Sequence, residues 1–158
     1  MIGCGDFYNQ EREKVWCPWT QHPNLVDKYI VHVIGDPDAE ADYTHLDDFA
    51  NFLVATLLKP QKSENQYLNV VSDTISHAKI VELLRMYTGK EVQLDVQSVE
   101  AMHKSAFPVD FWYLVKGLQG LGEPVRPKSQ IHNDLFEGVR YTPFEWYFKQ
   151  RFGKGEKL

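Results

Sequence analysis

The sequence predicts a mixed α/β (α+β) domain with a small mixed sheet flanked by helices, and three observations carry that prediction. Val92, Leu94 and Val96 alternate with Gln93, Asp95 and Gln97, the period-two pattern of a strand with one solvated face, as at a sheet edge or in a small antiparallel unit. Tyr43 to Pro60 reads as a strand end running directly into a helix. The 158 residues are 43% hydrophobic, with nine Phe, eight Tyr and four Trp, enough to bury one sizeable core; one domain over 1–158 is expected.

Tyr29 to Ile34 is apolar and β-branched, a first strand. The acidic stretch Asp36 to Asp42 lacks the glycine and terminal glutamate of a calcium-binding hand, so a solvated turn between two strands is expected. In the next block Thr44 and Asp47 have the spacing of a capping box, and Asp47 and Asp48 complement the positive end of a helix dipole; the helix starts near His45. Leu46, Phe49, Leu53 and Leu57 recur at steps of three and four, which makes an apolar face that must lie against a sheet or another helix. Pro60 ends it.

Tyr67 to Val71 reads as a strand, and Ser76 can cap a second helix, with Ile75 and Ile80 at the two positions of a hydrophobic staple. Gly89 supplies a left-handed stop. Further on, Phe111, Trp112 and Tyr113 are consecutive and cannot all face one side of a helix; they admit three placements, as pocket wall, subunit contact or core. Gly117, Gly120, Gly122, Pro124 and Pro127 mark an irregular crossing. A last helix is expected with Thr142 as cap, Pro143 at its first position and Glu145 completing a capping box, its aromatic side packing Phe144, Tyr147, Phe148 and Phe152. The basic tail from Lys149 to Lys157 complements its far end.

The block from Tyr43 to Pro60, the Tyr67 to Gly89 unit, Phe107-Pro108 and Val139-Arg-Tyr-Thr-Pro-Phe-Glu145 together resemble the carboxyl-terminal, substrate-binding half of the NmrA-like and isoflavone-reductase-like proteins, atypical members of the short-chain dehydrogenase superfamily. Gly5-Asp6-Phe7-Tyr8-Asn9 is similar to the loop that follows a sheet strand in that family and lines its substrate pocket. The resemblance implies that Phe7, Tyr8, Asn9, His45, Phe111, Trp112 and Tyr113 bind substrate, the three aromatics forming a lid suited to a small aromatic or polyketide-like metabolite. Tyr8, His45 and Tyr113 are the candidate proton carriers. His45 beside Asp48 could act as a general base if it faced a cavity, although capping and surface solvation explain the same residues more simply.

Dinucleotide binding of the Rossmann kind needs Gly-x-Gly-x-x-Gly between a strand and a helix, so that bare backbone meets the pyrophosphate. Gly3-Cys4-Gly5 is the nearest match, and Tyr8 stands where the third glycine belongs. The superfamily's Tyr-x-x-x-Lys pair is missing too: Tyr8 is followed by Arg12, and the lysines after Tyr87 and Tyr113 are at the wrong spacing. The expectation is a chain that lacks the amino-terminal NAD(P)-binding half and binds no cofactor alone, with NAD(P) supplied only through a nucleotide-binding partner chain. The family's catalytic lysine belongs to that half, so no catalytic residue carries over.

Other function classes are disfavoured. The net charge of −5 and pI near 5.6 give no nucleic-acid footprint. No apolar run approaches the roughly 20 residues of a membrane span and no secretory signal opens the sequence, so a soluble cytoplasmic protein is expected. His22, His32, His45, His77, His103 and His132 are scattered singly, and Cys4 and Cys17 make no close pair, so neither a metal site nor a disulfide is expected. Three functions remain: the substrate-binding part of an oxidoreductase acting with a small molecule, a cofactor-free isomerase, cyclase or lyase, and a regulatory module that buries its bare face in a homodimer or partner.

Overall fold

The computed structural model describes residues 2–3, 19, 23–100 and 111–153, with backbone alone at 2–3 and 111–113. In order the elements are β1 (Ile2–Gly3), β2 (Lys28–Ile34), β3 (Glu40–Thr44), α1 (Leu46–Leu58), the single turn α2 (Pro60–Ser63), β4 (Asp73–Ser76), α3 (His77–Thr88), β5 (Glu91–Gln97), α4 (Phe111–Gly120) and α5 (Phe144–Phe152). One sheet has the order β1-β3-β4, with β1 parallel and β4 antiparallel to β3. In the other, β2 and β5 pair in parallel from Lys28 and Glu91 to Ile34 and Gln97. The architecture is the mixed α/β arrangement that the sequence predicts.

Alternation decides what β2 buries: Tyr29, Val31 and Val33 point to the core, which they share with Val92 of β5, Ala41 and Tyr43 of β3 and Ile75 of β4. Helix α3 covers them with Ile80, Val81, Leu83 and Leu84, and α5 adds Phe144 and Phe148. A second, smaller cluster joins Phe52 of α1 to Val70 and Phe136, the two rings meeting edge to face at 5.3 Å.

Helix α3 forms as its local sequence dictates. The Ser76 side chain accepts a hydrogen bond from the Lys79 amide, Ile75 and Ile80 are both buried in one core, and Gly89 closes the helix at φ 66°. The acidic stretch divides. Asp36 and Asp38 lie in an exposed turn, where the Asp38 amide donates to the Asp36 carboxylate, whereas Asp42 is buried in β3 and accepts from the Thr74 hydroxyl and the Arg126 amide.

Other local expectations give way to long-range partners. Tyr67 to Val71 is not a strand, because its hydrogen bonds go to single groups rather than to a ladder. The Asn133 carboxamide accepts from the Val71 amide and donates to the Val71 carbonyl, taking the place of a neighbouring peptide, while Asn69 exchanges bonds with His132. Thr44 and Asp47 form no capping box: the Thr44 hydroxyl donates to the Val70 carbonyl at 2.8 Å, and His45 stands at the cap without a side-chain bond to the helix. The cap of α5 shifts by one residue, to Pro143, since the Thr142 hydroxyl is engaged by Asp48; the Asp73 carboxylate accepts from the Phe144 amide instead. Gly117 and Gly120 lie inside α4 rather than in an irregular crossing.

The expected face of α1 is also overturned. Asp48 and Phe52 are the buried residues of this helix; of the expected face Phe49 alone packs on the second cluster, whereas Leu46, Leu53 and Leu57 are exposed. Side-chain partners for the carboxylate and a ring partner for Phe52 fix the rotation of the helix, and its most apolar side faces outward.

His77 opens α3 and is 5% exposed; burial, helped by the nearby Lys116 cation, lowers its pKa from the ordinary 6.5 to about 4. The neutral form is therefore the folded form. Stability should be constant above pH 6.5 and fall as the pH drops from 6.5 towards 4, by roughly 3 kcal/mol in all, because the unfolded chain takes up the proton first. Urea melts across that range should show the loss, and His77→Gln should remove most of the slope.

Candidate functional site

Where β3 ends and α1 begins, the chain passes through His45 in an extended conformation, and its side chain lines a small cleft. Tyr43, Ser72, Asp73, Thr142, Phe144 and Tyr147 complete the lining of a cavity of about 10 Å³, room for roughly one water. Three separate stretches of chain thus meet: the end of β3, the start of β4 and the start of α5.

Asp48 ties them together. Its Oδ2 accepts from the Ser72 hydroxyl at 2.6 Å and from the Thr142 amide at 2.5 Å, and its Oδ1 accepts from the Thr142 hydroxyl at 2.8 Å. Ser72 Oγ in turn accepts from the His45 amide at 2.9 Å. A buried carboxylate with charge-assisted bonds to three donors is a rigid clamp, and it sets His45 and Thr142 on the same cleft. Tyr141, next in the chain, is structural: burial first, then the Asp48 and Asp134 charges, push its pKa up to about 12, and its hydroxyl donates to the Asn133 carbonyl.

The imidazole itself is not part of that clamp. His45 Nδ1 is 4.0 Å from Asp48 Oδ1, beyond hydrogen-bond reach, and it is buried without a hydrogen-bond partner. The ring tilts beside Tyr147 with centroids 6.1 Å apart, and the Phe144 ring stands edge-on to Tyr43 at 5.0 Å. One unsatisfied polar atom thus shares a cleft with the Tyr43, Phe144 and Tyr147 rings. Such an atom is costly to leave buried and can bond a ligand hydroxyl or carbonyl.

Of the residues singled out from the sequence, His45 is placed in this cleft. Phe7, Tyr8 and Asn9 lie outside the described residues, as do the side chains of Phe111, Trp112 and Tyr113, whose backbone opens α4. Short strand β1 pairs with Tyr43 and Thr44. Sequence reasoning missed Ser72, Asp73, Thr142 and Tyr147 as site residues. Thr142 read as a cap and Tyr147 as core, and only their convergence on His45 gives them another role.

Among the described residues no group of three His, Cys, Asp or Glu could hold a metal ion. Nor do the described helix starts fit a dinucleotide: α1, α3 and α5 are preceded by His45, Ser76 and Pro143 instead of glycine, and α1 carries two carboxylates in its first turn, which would repel a phosphate.

The backbone matches that of isoflavone reductase with a TM-score of 0.57 at 15% identity, over 77% of this chain and 43% of that one. The fold is that of part of isoflavone reductase. AtPrR2 in its apo form matches with a TM-score of 0.62 at 19% identity, over 79% of this chain and 44% of that one. The NADPH-dependent quinone oxidoreductase QOR2 of Escherichia coli follows at 0.51 and 14%, over 75% and 46%. The chain thus spans less than half the length of these structures. No protein-family model and no curated protein matches the sequence. The isoflavone-reductase fold bears out the resemblance read from the Tyr43 to Pro60 block and the small sheet with flanking helices.

Proposed function

We propose that this chain, one domain over 1–158, is the substrate-binding part of an NmrA-like, NAD(P)-dependent oxidoreductase that acts in the cytoplasm on a small aromatic or polyketide-like metabolite. The observation that carries the reading is the buried, unpartnered Nδ1 of His45 in a cleft that Tyr43, Phe144 and Tyr147 also line. A planar substrate at the rim of the cleft can reach in with a single polar group: a hydroxyl can donate to Nδ1 of the neutral imidazole, or a carbonyl can accept from the imidazolium. His45 then orients the substrate and moves a proton at that oxygen. The reductase and NADPH-dependent oxidoreductase in the names of the matched structures support the redox class. The described residues do not fit the coenzyme, so this reading assigns NAD(P) to a separate nucleotide-binding half. Among those residues no helix is long and apolar enough to cross a membrane.

A panel of planar phenols and isoflavone-like ketones, titrated into the purified chain and followed by saturation-transfer NMR, tests the reading. At least one should bind, and His45→Ala should weaken it by about tenfold, the value of one buried hydrogen bond. His45→Asn, which keeps an acceptor near Nδ1, should recover part of the loss. If no member binds, or if His45→Ala binds as well as the parent, the assignment of the cleft fails. The same imidazole favours one alternative, a cofactor-free isomerisation, which turnover of a bound compound without any nicotinamide would reveal.

A further inference from the structure

The cavity that His45 lines has room for roughly one water, so a group that enters it contributes a single heavy atom. Two of its walls are held by the core. Tyr43 and Phe144 are 3% and 4% exposed, belong to the main hydrophobic cluster and meet edge to face at 5.0 Å. Tyr147 is only partly buried; it packs on that cluster from α5, with its ring 6.1 Å from the imidazole. The other polar groups of the lining have partners: the Ser72 and Thr142 hydroxyls donate to Asp48, Asp73 accepts from the Phe144 amide, and the Tyr43 hydroxyl accepts from Gln119. Among the described residues, the buried side-chain atom left without one is His45 Nδ1.

The gap to Asp48 decides which kind of group that nitrogen needs. A proton on Nδ1 would draw it onto the buried carboxylate as a charge-assisted bond, whereas two acceptors stand apart, as they do here at 4.0 Å. Nδ1 is therefore the lone-pair nitrogen of a neutral imidazole, and it takes a donor. A hydroxyl supplies one on a single heavy atom. A methoxy oxygen has no proton to give and carries a further carbon for which the cavity has no room. We propose that this cleft selects ring substrates by a free hydroxyl and rejects the same oxygen once it is substituted, with His45 reading the proton and Tyr147 setting the size limit. The inference rests on the substrate-binding reading above and narrows its substrate class.

Three matched compounds test it by titration calorimetry on the full chain: the tightest-binding monophenol of the panel above, and its analogues with fluorine or methoxy in place of the hydroxyl. Fluorine is small and donates nothing, so the fluoride should bind about tenfold more weakly than the phenol, the loss of one buried hydrogen bond. The methyl ether should bind about tenfold more weakly again, because it overfills the cavity. Tyr147→Leu, checked by circular dichroism, should remove the second step and keep the first, whereas His45→Ala should remove the first. The three compounds on the parent protein decide the question even where a variant unfolds. A methyl ether that binds as tightly as the fluoride, or a panel in which ketones bind and phenols do not, would overturn the selection and leave the substrate-binding reading standing; a panel without any binder would end both.

Discussion

Gly120→Ala is expected to lower stability by about 3 kcal/mol, which for a chain of this size moves the melting temperature down by roughly 6–12 °C. A Cβ at this position would overlap the Ile34 carbonyl oxygen and would also stand 2.9 Å from the Gly35 Cα. All of the blocking atoms are backbone, so no side chain can swing aside; α4 and the end of β2 would have to separate. Gly35 at φ +89° accepts the same close approach from its side, and the Asp36 amide donates to the Gly120 carbonyl at 3.1 Å. Moving the helix would also strain the bond from the buried Lys116 ammonium to the His32 carbonyl. Gly122→Ala makes the control. Its φ is +72° but its Cβ would meet nothing within 4 Å, so the cost should be only the conformational one, about 1 kcal/mol. Thermal and urea melts of the two variants read the difference, and a Gly120→Ala protein as stable as Gly122→Ala would contradict this docking of α4 on β2.

Asp48→Ala should cost a similar amount, about 3 kcal/mol, because it leaves the Ser72 hydroxyl and both Thr142 donors facing a small cavity. Asp48→Asn should fall between, since one amide oxygen can still accept while the new NH₂ confronts a donor. The consequences extend to the cleft. Ser72 holds the His45 amide and Thr142 lines the opposite wall, so Asp48→Ala should weaken phenol binding along with stability, whereas His45→Ala should lose binding with little change in melting temperature. Paired melts and titrations of the two variants separate a positioning residue from one that touches the ligand.

The parts of the fold that were legible in the sequence are those fixed within one or two turns of chain. Ser76, Ile75, Ile80 and Gly89 define α3 from neighbours a few residues away, whereas the alternation in β5 holds only in part: Val92 is buried, but Val96 at the far end of the strand is 48% exposed. His45 was legible as a candidate because it sits at a strand-to-helix junction. Its companions were not: Thr142 is 94 residues from Asp48 in sequence, and Asn133 is 62 residues from Val71. Periodicity in α1 announces an apolar side but cannot say that a carboxylate on the other side will find three donors.

By itself, then, the sequence determined the strands and helices that rest on local patterning, the mixed α/β class, the resemblance to isoflavone reductase and the candidacy of His45. Tertiary structure alone decided which face of α1 is buried, that Tyr67 to Val71 pairs with side chains rather than a strand, and that Tyr147, Asp73 and Thr142 share a cleft with His45. The physical reason is that caps, staples and alternation are satisfied by groups a few bonds along the chain. A buried carboxylate or an extended backbone is satisfied only by donors and acceptors that folding brings from far away.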